Sequence, residues 1–230
     1  MPRSNRVDSV AQDRCIVAWD IETAPVPDQA LTSGHQERIE KETQFLLDRP
    51  SAPDGEEAER LAQSTHSLTG WICCVSAVAG SLGGGRRTPV SFTATTPEEE
   101  PAMLQRFWEK ISGFDCKPLW VTFNGKKFDV PFLLARSACH GIEPTRSDLV
   151  DTYPYSFEPH ADLYGAFQPC KYSLHDLCLL LGVEPPKADF DGSQVAQAVE
   201  EERIEEVAQY CEGDATATWH SHERMHTCLV

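Results

Sequence analysis

Apolar runs and helical spacings alternate along the chain in an order that predicts a layered fold. Residues 1–13 are polar and are expected to form a flexible N-terminus. Arg14–Glu22 (RCIVAWDIE) reads as a buried strand, because Cys15, Ile16, Val17 and Ala18 form a continuous apolar run. Pro25 and Pro27 end it. The pattern then breaks over residues 25–66, where a polar helical stretch at Gln36–Leu47 and a loop-like composition at 48–57 suggest an insertion between the first two strands. Trp71–Ala79 is a second strand, and a glycine-rich turn (80–88) leads to a third at Val90–Thr93. Thr96, Pro97 and Glu99 look like the start of a helix that buries Met103, Leu104, Phe107, Trp108 and Ile111 on helical spacing. A fourth strand is expected at Leu119–Phe123, a helix over Asp129–His140 and a fifth strand at Leu149–Thr152. Ser173 caps a further helix, and the last stretch is helical, with Val195, Val199, Ile204 and Val207 as its apolar positions. These elements predict an α/β fold with a mixed five-stranded sheet flanked by helices.

A chain of 230 residues with 40% hydrophobic content is long enough to bury a full core. It contains no apolar run of about 18 residues, so no membrane span is expected. The first residues lack the apolar centre of a signal peptide, which argues for a cytoplasmic location. Nine scattered cysteines without a CxxC pair argue against a disulfide framework. Charge is the more restrictive observation. A net charge of −16 opposes a general duplex binder, since gripping phosphates normally takes a basic surface. A strand end, where only a few nucleotides are held and metal ions bring the positive charge, is compatible with it.

Acidic residues in three short segments carry the candidate chemistry. In WDIET, Asp20 and Glu22 are two apart on a strand and project to the same face, either as a solvated strand end or as a pair awaiting a cation. In FNGKKFDVPF, Asp129 enters a helix, where a helix cap is the plain alternative to a ligand. In YCEGDAT, Tyr210 and Asp214 are four apart and share a helical face. Packed carboxylates raise each other's pKa, and divalent cations are the usual resolution in enzymes that cut phosphodiesters.

In that order and at those separations, WDIET, N-x-x-x-F-D and Y-x-x-x-D resemble the three motifs of the DEDD 3′–5′ exonucleases, the tyrosine marking the DEDDy branch. HADL (160–163), KYSLHDLCLLLG (171–182) and K-x-x-F-D-G-S-Q-V (187–195) resemble the predicted exonucleases related to the proofreading domain of family-B DNA polymerases. The resemblance implies a ribonuclease H-like fold and one exonuclease domain over 14–230, with 25–66 inserted. It implies that Asp20, Glu22 and Asp214 hold one divalent metal, Mg2+ or Mn2+. Asp20 would bridge to a second, Asp129 would act partly through water, and Tyr210 would orient the attacking water. The implied substrates are single-stranded DNA or RNA 3′ ends, with release of nucleoside 5′-monophosphates. Thr23, Asn124, Lys126, Phe128 and Lys171 lie in or beside the motifs and are candidate substrate contacts, with Lys127 and Lys187 as further cations. Phe128 is open to two readings, a wedge against a terminal base or core packing.

Two other readings stand beside this one. A non-catalytic ribonuclease H-like module would use the same fold to bind a nucleic-acid end or a protein partner. His222-Glu223-Arg224-Met225-His226 matches the HExxH zinc-protease pattern. That pattern needs a third ligand, ordinarily downstream, and only Thr227–Val230 follow, so histidines near a helix C-terminus are the simpler account.

Overall fold

The computed structural model describes residues 14–50, 52–167, 172–186 and 190–229. Six strands are present among them: β1 (Ile16–Pro25), β2 (Gly70–Ser81), β3 (Gly85–Arg86), β4 (Val90–Thr93), β5 (Leu119–Thr122) and β6 (His160–Asp162). β1 is central, with β2 antiparallel on one side and β5 parallel on the other. β6 runs parallel to β5, while β3 and β4 both pair antiparallel with β2. The central position explains the sequence of β1: Ile16–Trp19 are all buried, as a strand covered on both faces requires.

Seven α-helices among the described residues cover this sheet: α1 (Ser33–Leu47), α2 (Gly55–Ser64), α3 (Glu100–Ser112), α4 (Asp129–Cys139), α5 (Leu174–Leu181), α6 (Val195–Glu200) and α7 (Ile204–Met225). α3 buries the five apolar residues that its spacing predicted, and Glu99 stands at its N-cap position without a side-chain capping bond, the carboxylate accepting from the backbone N–H and hydroxyl of Thr95. α5 opens with a reciprocal Ser173–Asp176 capping box and stops at Gly182, whose φ of 65° suits glycine. α7 packs on β1 and β2, its residues Ala215 and Trp219 meeting Ile16 and Ala18 in one apolar cluster. No described helix is long and apolar enough to cross a membrane.

Three expectations need correction. The sheet has six strands rather than five, because the Gly85–Arg86 hairpin arm and His160–Asp162 both pair. The strand expected at Leu149–Thr152 is absent: Leu149 is buried, but the carbonyl of Asp151 accepts from the His160 ring, not from a neighbouring strand. The segment between β1 and β2 is more ordered than its composition implies, since α2 starts inside the expected loop. Asp54 caps it by accepting from Glu57 N–H, and Ala58 and Ala62 are buried. Residues 1–13, read as flexible, lie outside the described residues.

Candidate active site

The strand that forms the sheet centre also delivers the first two acids. On β1, Ile16 and Ala18 point into the cluster under α7, and the period of two carries Asp20 and Glu22 onward along the same face. A register shift between Glu22 and Thr23 interrupts the pairing with β2 just past them, and pairing resumes at Thr23 and Ile72. Thr23 itself is buried in that irregularity. α7 crosses this face and contributes Tyr210, Cys211 and Asp214. The Cys211 thiol donates toward the Asp20 carbonyl (3.4 Å) and carboxylate Oδ2 (3.5 Å). Oxygen atoms of Asp20 and Glu22 and the sulfur of Cys211 lie within 4.8 Å of one another. Tyr210 sits one helical turn before Asp214, and its ring packs on Phe190 with centroids 5.3 Å apart.

Asp129 arrives from the other side of β1. It is the first residue of α4 and does not cap that helix; its buried carboxylate Oδ1 instead accepts from the Ile21 N–H at 3.2 Å. The turn before it is built for this delivery. Asn124 takes a left-handed conformation (φ 65°), and a Cβ on Gly125 would collide with the Thr122 side chain. Asp162 of β6 clamps the turn by accepting from the N–H groups of Asn124 (2.8 Å), Lys126 (3.1 Å) and Tyr164 (3.1 Å). Composition gave Asp162 no defined role; its clamp appears only once β6 lies beside β5.

Charge in this cluster is unbalanced. Burial, then the neighbouring carboxylates of Asp129, Glu22 and Asp214, push the Asp20 carboxyl well above its usual range. Burial and then the Asp214 carboxylate do the same to Glu22. Burial raises Asp129 and Asp214 to about 7. Among the described residues, none of the four forms an ion pair with lysine, arginine or histidine. Hard oxygen donors, crowded and without a cation, form a donor set that fits divalent metal. The Tyr210 phenol is pushed far up by burial and by Asp214, Glu22 and Asp20, so it stays protonated.

The remaining candidates separate. Lys126 is buried, and its ammonium donates to Tyr153 O (2.6 Å), Ser156 O (2.7 Å) and Asp151 Oδ2 (3.1 Å). All three donors are used, so Lys126 is a strut and not the free cation expected for a phosphate contact. Lys127 is exposed, its ammonium 5.6 Å from the centroid of the Tyr164 ring. Phe128 packs on Phe132 against the core, with centroids 5.5 Å apart. Lys171 and Lys187 lie outside the described residues. His222 is buried with its Nδ1 unpartnered, and burial lowers its pKa to about 4; His226 bonds the Glu223 carbonyl instead. No third ligand joins these two histidines among the described residues. Cys211 was missed because a cysteine in an apolar helical position reads as a small core residue.

A cavity of about 420 Å³ opens beside Tyr210, with Pro186, Phe190, Gln209 and Gly213 in its wall. A larger one of about 670 Å³ lies past the end of β1, between Pro25, α2 and Pro97, and none of the four acids lines it.

The DNA polymerase epsilon catalytic subunit from Saccharomyces cerevisiae is 28% identical over 142 residues, 57% of this chain and 6% of that protein. The Schizosaccharomyces pombe protein of the same name is 30% identical over 131 residues, covering 53% and 6%. The chain thus corresponds to a small fraction of those relatives' length. The structure of the family B DNA polymerase from Pyrobaculum calidifontis superposes with a TM-score of 0.60 at 17% identity, covering 93% of this chain and 24% of that one. That likeness concerns the fold, which is ribonuclease H-like. The model of the predicted 3′–5′ exonucleases related to the exonuclease domain of PolB matches residues 66–228, which include Asp129, Tyr210 and Asp214 but not Asp20 and Glu22. The chain belongs to that family of predicted 3′–5′ exonucleases.

Proposed function

We propose that this chain is a DEDDy-type, metal-dependent 3′–5′ exonuclease that releases nucleoside 5′-monophosphates from single-stranded DNA or RNA ends. The observation that carries the reading is the group Asp20, Glu22, Asp129 and Asp214, drawn from distant segments and left without a cationic partner among the described residues. Such a group is costly to keep unless cations neutralise it. Mg2+ or Mn2+, when bound, would supply that neutralisation and lower the pKa of a coordinated water. Asp20 and Glu22, whose oxygens lie within 4.8 Å of each other, would be the main holders, with Asp214 adding its carboxylate from the neighbouring helix. Asp129 has one oxygen committed to the Ile21 N–H and one left over, which suits an outer position. Tyr210, kept protonated, orients a nucleophile and does not take its proton. The net charge of −16 favours a strand end over a long duplex. The same charge is what favours a non-catalytic module as the second reading.

The test uses 5′-labelled single-stranded DNA and RNA with magnesium, manganese or chelator. Wild type should give ladders shortening from the 3′ end, with either metal and not with chelator. Asp214→Ala should fall to background with its fold intact by circular dichroism, while His222→Ala should keep the ladder. Full activity in Asp214→Ala would overturn the reading. Calorimetry without any divalent-metal binding would favour the non-catalytic module.

A further inference from the structure

The segment before β6 carries two tyrosines that the core does not use. Tyr153 is 60% exposed and Tyr155 82% exposed, and their rings meet edge to face with centroids 5.6 Å apart. Aromatic side chains this exposed contribute little to folding, so their presence needs another account. Their backbone is held firmly. The buried Lys126 ammonium grips the carbonyls of Tyr153 and Ser156, together with the Asp151 carboxylate. The other oxygen of that carboxylate accepts from the Tyr153 N–H at 3.3 Å, and the His160 ring donates to the Asp151 carbonyl at 3.1 Å. Two exposed rings therefore stand on a loop fixed from below, which lowers the ordering cost of using them for binding.

Their position is equally specific. Lys126 sits three residues before Asp129, in the same clamped turn that delivers Asp129 to the acid cluster. The backbone that carries the rings is thus tied to that turn through one lysine side chain.

We infer that Tyr153 and Tyr155 form a stacking platform for bases of a single-stranded nucleic acid whose 3′ end lies at the acid cluster. This rests on the nuclease reading above. Charge selects the occupant. A chain of net charge −16 is poorly suited to holding a long strand by its phosphates, and the lysine anchored here spends all its donors internally. Stacking on an aromatic face is indifferent to that charge and to base identity. It supplies affinity upstream of the scissile bond where the electrostatics oppose it.

The test compares wild type, Tyr153→Ala/Tyr155→Ala and Tyr153→Phe/Tyr155→Phe in the full chain. Each is assayed on a dinucleotide and on a single strand of about ten nucleotides, and binding of the labelled strand is followed by anisotropy with chelator present. The alanine pair should raise KM for the longer strand about tenfold or more and weaken binding equally. Its kcat should not change, and rates on the dinucleotide, which offers fewer bases to stack, should change far less than those on the longer strand. The phenylalanine pair should behave as wild type, because the ring face is what acts. Unchanged KM and binding in the alanine pair would overturn the platform while leaving the nuclease standing, and would turn attention to a protein partner for the rings. If wild type cut nothing yet bound the strand through these tyrosines, the nuclease reading would fall and the platform would stand. If it neither cut nor bound, both would fall.

Discussion

Cys211 presents a donor to Asp20 in a cluster otherwise crowded with acceptors. A thiol at 3.4–3.5 Å from Asp20 is a weak donor, but it fixes the rotamer of the carboxylate on which the other acids converge. Cys211→Ala should lower the exonuclease rate roughly fivefold, the equivalent of about 1 kcal/mol, with metal affinity reduced in parallel. Cys211→Ser keeps a donor and should restore most of both; if alanine and serine behave alike, Cys211 is only filling space. This residue also marks a limit of sequence reading. Asp20 and Glu22 were legible because a period of two on a strand fixes a shared face, and Tyr210 and Asp214 because a helix places residues four apart together. Cys211 was not legible, because a thiol is recognised as a donor only once its acceptor is known. Lys126 was misread for a related reason: the sequence shows a cation near a motif, whereas its three partners come from residues 151–156.

Between elements, a second buried charge system holds the frame on which the acids are mounted. Glu100, fully buried at the start of α3, accepts from the Ile72 N–H of β2 at 2.7 Å. It also accepts from Arg136 of α4 at 2.6–3.1 Å, and pairs with His140 at 2.7 Å. One carboxylate thereby ties two helices to a strand. Removing its charge leaves the guanidinium of Arg136 buried and uncompensated, a loss of about 3–5 kcal/mol. Glu100→Gln should therefore lower Tm by about 10 °C in calorimetry, a scale appropriate to a chain of this length. A shift within error would show that water reaches Arg136. Most elements were legible because their apolar spacing is local: α3 and α5 have the buried faces, and α5 the cap, that their sequences indicate. β6 was not, since three residues carry no period of their own and pair only because β5 offers an edge.

For the molecule as a whole, protonation and metal binding are opposed. Asp129 and Asp214 have folded pKa values near 7, above a carboxyl's ordinary value of 3.8. Their contribution to stability is thus complete below about pH 4 and is lost as pH rises through 7. His160 and His222, lowered to about 4 by burial, act oppositely, losing stability as pH falls below about 6.5. The two histidines thus offset part of the carboxylates' pH slope in metal-free protein, and differences are the sharper measure. Mg2+ or Mn2+ should raise Tm far more at about pH 8 than at about pH 5. Asp214→Asn should raise the Tm of metal-free protein at the higher pH, leave it nearly unchanged at the lower, and reduce the metal effect. An equal metal-induced gain at both pH values would contradict this assignment. The long reach across the chain has a further consequence, in time. Asp20 and the Cys211 that contacts it are 191 residues apart in sequence. At about 5–20 residues per second, translation separates their appearance by roughly 10–40 s. A ribosome-bound chain carrying only β1 has half of the proposed acid site and no α7 to complete it. The proposed site is therefore incomplete until α7 has been made and has docked.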